Sequence, residues 1–288
     1  MTQKIAIITG ANAGLGFEVS KHLAKLGYRL VMACRNLDKG MQAKKRILKI
    51  APDTVIDVLE LDLSKQKSVL AFAELVKQDY QSLDLLINNA GIMMTPYKVT
   101  EDGFENQLAT NYLGHFALTG YLLPLLKNTQ NSRVVSLSSL AHKWSGIRLK
   151  DPNFKFGYDK REAYGQSKVA CLMFAYELDR RFKAAGYPTI STGAHPGISN
   201  TNLFGSMPVF FKLLSPVMGQ APENGAKPIL FAALNKGLKG GEYIGPDGFN
   251  EWRGDAKRVD SNVASKNKEN GQQLWDLSEE LTGVKYGC

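Results

Sequence analysis

The chain has 288 residues, of which 44% are hydrophobic and 22% charged, a composition that supplies a sizeable core and excludes an intrinsically disordered protein. Lysine and arginine number 36 against 27 acidic residues, which gives a net charge of +9. The basic residues are scattered and do not alternate with aromatic ones, so we expect no nucleic-acid partner. A positive field also suits a small ligand that carries phosphate.

Cysteine usage and the N-terminus bear on the cell compartment. Cys34, Cys171 and Cys288 are far apart and match no metal-ligand spacing, so we expect reduced thiols, no bound metal and a cytoplasmic protein. The first predicted strand begins at Ile5, which leaves no room for a signal peptide, and no later apolar run is long enough to span a bilayer. We therefore expect no integral membrane anchor.

Short apolar runs alternate with amphipathic stretches along the chain. The predicted strands are 5–8, 30–33, 55–59, 83–87, 134–137 and 189–194, with a last short strand near Tyr243. Helices are predicted at 18–26, 68–76 and 116–126, from Tyr164 to about 183, and at 222–235. Nearly continuous apolar strands indicate burial on both faces. The pattern predicts an α/β Rossmann fold, a doubly wound parallel sheet of about seven strands with helices on both faces.

No polar linker interrupts this order, so we expect a single domain over 1–288. Two segments differ from the rest of it. An irregular apolar stretch covers about 198–220, and a polar C-terminal tail covers about 254–288, with a partly helical part at 272–281.

A glycine-rich turn follows the first predicted strand and opens a helix. Its residues are Gly10, Ala11, Asn12, Ala13, Gly14, Leu15 and Gly16. Glycine permits positive φ and close backbone approach, and a helix N-terminus presents free N–H groups to a pyrophosphate. Such turns also simply cap strands, but the position in the first βαβ unit favours dinucleotide binding.

The end of the second strand bears on the choice of nucleotide. An NAD-dependent protein would have an acidic residue there for the ribose, whereas this chain has Cys34 followed by Arg35. Arg35 could bind a 2′-phosphate through charge-assisted hydrogen bonds, so the sequence favours NADPH over NADH. The alternative is a surface arginine paired with Asp38. Asp62, which ends the third strand, could face the adenine amino group or form an Asx turn.

Polar motifs follow the later strands. They are 88–91 after strand four, 111–114 in the next helix, Ser138 and Ser139 after strand five, and Tyr164 with Lys168. Tyr164 and Lys168 are four residues apart, so on a helix they share one face, where an ammonium stabilises a developing phenolate. This spacing alone usually means an exposed pair on a solvated helix. The ordered set of motifs favours catalysis by the tyrosine.

In this order the motifs, with the later Pro196-Gly197, resemble the short-chain dehydrogenase/reductase superfamily over nearly all of 4–250. The resemblance implies that Ser139 holds the substrate oxygen, Tyr164 donates the proton, and Lys168 binds the nicotinamide ribose and lowers the tyrosine pKa. Asn111 is implied to anchor a water in the proton relay. The implied contacts of NADPH/NADP+ are Gly10, Asn12, Gly14, Leu15, Gly16, Arg35, Asp62, Leu63, Asn89, Ala90, Gly91, Tyr164, Lys168, Pro196, Gly197 and Thr201.

The amino-acid sequences of the motifs at 32–35, 88–93, 111–116 and 138–142 resemble those of the retinol dehydrogenase branch, whose members prefer NADP(H). Membrane-bound members have an N-terminal anchor that we do not expect here, which leaves the substrate open. Light-dependent protochlorophyllide reductase is also similar. It is expected to have a cysteine directly after the Pro-Gly pair, where this chain has Ile198.

Two apolar stretches are candidates for the substrate pocket. Trp144, Phe154, Phe156 and Tyr158 lie in the first, and the substrate-loop region at about 198–220 is the second. Alternatively they pack a satellite core or the surface of a homo-oligomer. His142 and His195 are interpreted as structural.

We therefore expect an enzyme that moves a hydride between NADPH and a small-molecule carbonyl or alcohol, with a bulky apolar aldehyde or ketone as its substrate class. The alternatives are a redox-sensing regulator that binds NADPH without turnover, and an enzyme like protochlorophyllide reductase.

Overall fold

The computed structural model describes residues 3–198 and 220–288. In chain order the strands of this part of the chain are β1 (Ile5–Thr9), β2 (Arg29–Cys34), β3 (Ile56–Glu60), β4 (Leu85–Asn88), β5 (Arg133–Leu137), β6 (Ile190–Ala194), β7 (Tyr243–Pro246) and β8 (Ala256–Arg258). They form one sheet in the order β3-β2-β1-β4-β5-β6-β7-β8. Strands β1 to β7 pair in parallel, and β8 pairs antiparallel with β7. The predicted parallel sheet is confirmed, and β8 is an additional edge strand.

Helices connect the strands on both faces of the sheet. They are α1 (Gly14–Lys25), α2 (Leu37–Leu48), α3 (Gln66–Asp79), α4 (Asn106–Leu108), α5 (Gly114–Lys127), α6 (Lys160–Ala184), α7 (Pro222–Gly225), α8 (Lys227–Leu234), α9 (Val263–Lys266) and α10 (Lys268–Thr282). A π-helical turn, Ala109–Leu113, joins α4 to α5. Short 3₁₀ turns lie at Leu140–Lys143 and Phe249–Glu251.

The sheet separates two apolar cores. Successive strand residues alternate between them, so that Ile7 packs into the core with α3, α5 and α6 while Ile8 packs into the core with α1, α2 and α8. Both side chains are fully buried. This double burial explains why the strands are almost continuously apolar, as the doubly wound arrangement requires.

The segment predicted to be a polar tail from about residue 254 completes one of these cores. It forms β8, α9 and α10, and the predicted helix at 272–281 lies within the longer α10. Trp275 is 2% exposed, and its ring centre lies 5.1 Å from that of Phe116. The hydroxyl of Tyr286 donates to the main-chain oxygen of Phe116 at 2.6 Å. The buried face of α10 therefore covers α5 and α6.

The strand order reverses between β1 and β4, and the carboxyl ends of both strands meet at one edge of the sheet. In open α/β sheets this reversal opens the crevice in which ligands bind. Across the described parts of the chain, none of the helices has both the length and the apolar character needed to cross a membrane.

Candidate active site

The glycine-rich turn after β1 is folded tightly against the end of β4. Gly10 has a φ of +66°, and its N–H donates to the main-chain oxygen of Ala33 at 2.8 Å. A Cβ at Gly10 would lie 3.1 Å from Ala90, and one at Gly16 would lie 2.6 Å from the amide nitrogen of Asn89. Side chains are therefore excluded from both positions, which leaves main-chain N–H groups at the start of α1.

Thr9, the last residue of β1, joins this turn to the one after β4. Its hydroxyl oxygen accepts hydrogen bonds from the N–H groups of Asn89 and Ala90, each at 2.9 Å. The Asn89 side-chain amide donates in return to the main-chain oxygen of Thr9 at 2.7 Å. The structure therefore brings the predicted contacts Gly10, Gly16, Asn89 and Ala90 into one surface.

The residues predicted to contact the adenosine half of the nucleotide lie on separate segments. Arg35 is exposed directly after β2. Among the ion pairs of residues 3–198 and 220–288 none includes Arg35, so the alternative pairing with Asp38 does not form. Asp62 forms an Asx turn, in which its Oδ1 accepts from the N–H of Ser64 at 3.0 Å and from the Ser64 hydroxyl at 2.7 Å.

Three further predicted contacts lie near the glycine-rich turn or the π-helical turn. Asn12 is half-buried in the turn after β1. Leu15 and Leu63 are buried in the two cores, so only their main-chain groups remain for a nucleotide. The main-chain oxygen of Leu63 lies against Gly114, where a Cβ would collide with it.

The π-helical turn Ala109–Leu113 holds Asn111 against the segment after β4. The Oδ1 of Asn111 accepts from the N–H of Ile92 at 2.8 Å, and its amide donates to the oxygen of Ile92 at 2.9 Å. The same amide donates to the Ser167 hydroxyl at 2.8 Å, and that hydroxyl donates to the main-chain oxygen of Tyr164, also at 2.8 Å. Asn111 therefore connects the turn after β4 to the helix that contains the tyrosine.

Tyr164 and Lys168 lie one turn apart on α6, as their spacing predicts. The helix is N-capped by Asp159, whose carboxylate accepts from two N–H groups of the first turn. The Lys168 Nζ lies 5.9 Å from the ring centre of Tyr164 and donates to the main-chain oxygen of Leu137 at 3.1 Å. A Cβ on Gly91 would lie 3.4 Å from this Nζ. The ammonium therefore lies beside the turns after β4 and β5.

Ser139 follows β5 in extended conformation and is half-buried, and its hydroxyl oxygen accepts from the N–H of Ala141 at 3.2 Å. The preceding Ser138 donates to the main-chain oxygen of Lys168 at 2.8 Å. A Cβ at Gly165 would lie 3.1 Å from the Ala141 oxygen. The segment with Ser139 thus packs directly on the part of α6 between Tyr164 and Lys168.

Pro196 and Gly197 follow β6 at the same edge of the sheet. Gly197 has a φ of +67°, and its N–H donates to the Nδ1 of the buried His195 at 3.2 Å. The Nε2 of His195 lies 2.9 Å from a carboxylate oxygen of Glu251. Burial lowers the pKa of His195, and the hydrogen bond to His195 lowers the pKa of Glu251. Thr201 and most of the predicted substrate-loop region lie outside the described residues.

Of the four aromatic residues between Ser139 and Tyr164, one lies beside the tyrosine. The ring centre of Trp144 is 6.1 Å from that of Tyr164, and Trp144 is 40% exposed. Phe154 is buried, Phe156 is 88% exposed, and the Tyr158 hydroxyl donates to the main-chain oxygen of Thr95 at 2.8 Å. Trp144 is therefore placed to line a pocket, whereas Phe154 and Tyr158 brace the surrounding loops.

Sequence analysis missed several residues that hold the site together. They are Thr9, His115, Ser167 and Cys171. His115 follows Asn111 by four residues, and such a spacing on a helix is a usable signal. Its contact with Thr9 spans 106 positions and has no local signature. Among the described residues no group of histidine, cysteine or carboxylate side chains could hold a metal ion.

Comparison with known proteins identifies a family. The family model described as short chain dehydrogenase matches residues 4–208. Retinol dehydrogenase 12 of Bos taurus is 38% identical over 288 residues, with 98% of this chain and 87% of the relative covered. Polyprenol dehydrogenase of Homo sapiens is 35% identical over 291 residues, with 98% and 86% covered.

A solved structure of a protein from Mycobacterium paratuberculosis has the same fold. It superposes with a TM-score of 0.84 at 39% identity, and the match covers 100% of this chain and 96% of that one. The chain belongs to the short-chain dehydrogenase family and resembles its retinol dehydrogenases.

Proposed function

We propose that this chain is an NADP(H)-dependent oxidoreductase that transfers a hydride between the nicotinamide and the carbonyl or alcohol carbon of a bulky apolar substrate. The proposal rests on the buried Lys168 ammonium, which lies 5.9 Å from the Tyr164 ring centre and is hydrogen-bonded to Leu137. This pairing puts a cation beside a phenol at the edge of the sheet where ligands of this fold bind.

The turns at this edge fit a dinucleotide. A Cβ at Gly10 or Gly16 would fill the space against Ala90 and Asn89, and the N-terminus of α1 follows directly. In this proposal Gly10, Gly14 and Gly16 would hold the pyrophosphate. Tyr164 and Lys168 would hold the nicotinamide ribose, and Pro196 and Gly197 the nicotinamide itself.

Arg35 supports NADPH as the preferred cofactor. Its guanidinium is exposed directly after β2, where the ribose of the adenosine half lies in nucleotide complexes of this fold. A guanidinium binds a phosphate through paired N–H donors, whereas it gains little from the hydroxyl that NADH has at this position.

Two relatives support a bulky apolar substrate, since one is a retinol dehydrogenase and the other a polyprenol dehydrogenase. Retinol and polyprenol are both long apolar alcohols. In this chain Trp144 offers an aromatic face beside Tyr164. Apolar walls with a few convergent polar groups are the usual lining of a pocket for such a molecule.

A bound NADPH, held by the residues named above, would supply the hydride for reduction of a carbonyl carbon. Ser139 donates a hydrogen bond to the carbonyl oxygen and orients it. Tyr164 gives its hydroxyl proton to that oxygen as negative charge develops there. Lys168 stabilises the resulting phenolate by its positive charge, and it stays in place because Leu137 holds its ammonium. Oxidation of an alcohol follows the same steps in reverse.

The test is NADPH oxidation with a panel of apolar aldehydes and ketones, with wild type beside Tyr164→Phe. We expect turnover by the wild type, loss of turnover in the variant, and NADPH binding by both in a fluorescence titration. Tyr97→Phe, a change at a tyrosine that is 45% exposed, is the matched control and should retain activity.

Two alternatives give different results in the same test. A redox-sensing regulator would bind NADPH without turning over any member of the panel. A pigment photoreductase would require illumination, so the panel is run in light and in darkness. Equal activity of the wild type and Tyr164→Phe would contradict the proposed role of the tyrosine.

A further inference from the structure

His115 lies on α5, one turn after Asn111, and is 3% exposed. Its Nδ1 lies 2.9 Å from the main-chain oxygen of Asn111, and its Nε2 lies 2.9 Å from the hydroxyl oxygen of Thr9. One imidazole therefore contacts both the last residue of β1, where the glycine-rich turn starts, and the π-helical turn.

The donors and acceptors around the ring determine which nitrogen carries the hydrogen. The Thr9 hydroxyl oxygen already accepts from the N–H groups of Asn89 and Ala90, which use both of its lone pairs. The Thr9 hydroxyl hydrogen remains to be donated, and Nε2 of His115 at 2.9 Å is a closer acceptor than the Ile87 oxygen at 3.4 Å.

The other nitrogen faces a main-chain oxygen, which can only accept. Nδ1 of His115 therefore carries the hydrogen and donates to Asn111. Burial lowers the pKa of His115 to about 4, and the nearby Lys168 charge acts in the same direction, so the ring is neutral near pH 7. All hydrogen bonds of the series then have the same donor-to-acceptor direction. It leads from the N–H groups of the turn after β4 through Thr9 and His115 to Asn111.

The oxygen of Asn111 that accepts from His115 also accepts from the Cys171 thiol at 3.1 Å. The side chain of the same asparagine donates to Ser167, which in turn donates to the main-chain oxygen of Tyr164. The far end of the hydrogen-bonded series is therefore the turn of α6 from which both Tyr164 and Lys168 project. Every side chain in this series is buried.

We propose that His115 is a positioning residue that holds the dinucleotide-binding turns through Thr9 and the catalytic turn of α6 through Asn111, an inference that rests on the proposed function. The contact with Thr9 fixes the turn that bears Asn89 and Ala90, and the contact with Asn111 fixes the π-helical turn. The two contacts act on different segments, so loss of the contact with Thr9 weakens cofactor binding and loss of the contact with Asn111 disturbs the catalytic turn.

The two halves can be broken separately. The amide of asparagine can occupy the place of Nδ1, so His115→Asn keeps the donor to Asn111 and loses the acceptor for Thr9. The longer His115→Gln reaches the place of Nε2, keeps the contact to Thr9 and loses the donor to Asn111. His115→Phe keeps the ring volume and loses both. His22→Gln, at an exposed position of α1, is the matched control.

Three quantities are measured for each variant: the Tm without cofactor, the NADPH Kd by fluorescence titration, and kcat and KM with an active carbonyl. We expect His115→Asn to raise the NADPH Kd about fivefold or more with kcat within about twofold. We expect His115→Gln to lower kcat about fivefold or more with Kd within about twofold. His115→Phe should change both, and His22→Gln neither.

A change in Kd alone for one variant and in kcat alone for the other distinguishes a positioning role of His115 from a packing role. If the asparagine and glutamine variants lose Kd and kcat in parallel, or lose only Tm, the ring has a structural role and the proposal is wrong. Wild-type values in both variants also overturn it. The Kd measurements need no turnover, so an inactive wild type that binds NADPH would refute the proposed function while His115→Asn still tests the positioning contact with Thr9.

Discussion

The side-chain ammonium of Lys168 donates a hydrogen bond to the main-chain oxygen of Leu137 at 3.1 Å. Lys168 is only 6% exposed, and a buried charge is costly unless it is hydrogen-bonded. The last residue of β5 therefore keeps a positive charge beside the Tyr164 phenol, within the protein and out of bulk water. The electrostatic interaction of this charge with neighbouring groups is strong because little solvent screens it.

Removal of this charge tests its role in proton transfer. Lys168→Met keeps the length of the apolar stem and removes the ammonium, so we expect kcat/KM to fall by roughly a hundredfold or more. Lys160→Met, at an exposed position in the first turn of the same helix, should retain wild-type kinetics. A Lys168→Met enzyme with wild-type kcat/KM would show that the cation takes no part in the chemistry.

Arg35 is tested by cofactor discrimination. Arg35→Ala should raise the Kd for NADPH about tenfold or more, because each charge-assisted hydrogen bond to phosphate is worth roughly 1.5–3 kcal/mol. The Kd for NADH should change little. Lys49→Ala, at the other end of α2, controls for the loss of one surface charge. Equal weakening for both cofactors would contradict the assigned phosphate contact.

Buried histidines predict a loss of stability in acid. Burial lowers the pKa of His115 and of His142 to about 4, below the unfolded value of about 6.5. The unfolded chain then binds more protons than the folded one, so stability present above pH 6.5 is lost as the pH falls towards 4. Each unit of pKa difference corresponds to about 1.4 kcal/mol.

Urea unfolding at a series of pH values between about 7.5 and 4.5 measures this effect. We expect the free energy of unfolding of the wild type to fall across the series. His142→Asn removes one titrating group and keeps a donor for the Ser139 oxygen, so its decline should be smaller by about 2 kcal/mol. Parallel curves for the wild type and the variant would show that His142 protonation does not contribute.

Gly197 and Gly186 form a matched pair for the turn after β6. Their φ values are +67° and +68°, so alanine has the same backbone strain at both positions. A Cβ at Gly186 meets nothing within 4 Å, whereas one at Gly197 would collide with the main-chain oxygen of Trp252. Gly186→Ala should cost about 1 kcal/mol of folding free energy, and Gly197→Ala at least about 1 kcal/mol more.

Urea unfolding measures both variants of this pair, and NADPH titration adds a second readout. Gly197→Ala should also raise the NADPH Kd, because the displaced turn contains Pro196. Gly186→Ala, at the end of α6, should leave it unchanged. Equal losses of stability in the two variants would mean that the segment with Trp252 moves aside at no cost in folding free energy.

Local sequence patterns were sufficient to predict the layout of the fold and to place the motifs of the candidate site on its turns and helices. Continuous apolar runs located the parallel strands, since each is buried on both faces. The spacing of Tyr164 and Lys168 located them on one helical face. The glycine-rich turn was identified because a strand, a glycine turn and a helix follow each other without interruption.

Features set by distant contacts were not predictable in this way. The strand β8 contains Lys257 and Arg258 and no apolar run, and it exists through its pairing with β7. The π-helical turn at Asn111 depends on bonds to Ile92, nineteen positions away. Trp275 lies in a polar segment whose one buried face becomes visible only when α5 and α6 are in place.

The two edges of the sheet make strand-to-strand association between molecules unfavourable. On one edge the Lys44 ammonium binds the main-chain oxygen of Ile56, at the start of β3. On the other, Lys257 and Arg258 are exposed along β8. A strand added from a second molecule would have to displace the first cation or lie against the other two, and native proteins resist amyloid-like stacking by this means. Any assembly of this enzyme is therefore expected to use helices and loops rather than a continued sheet.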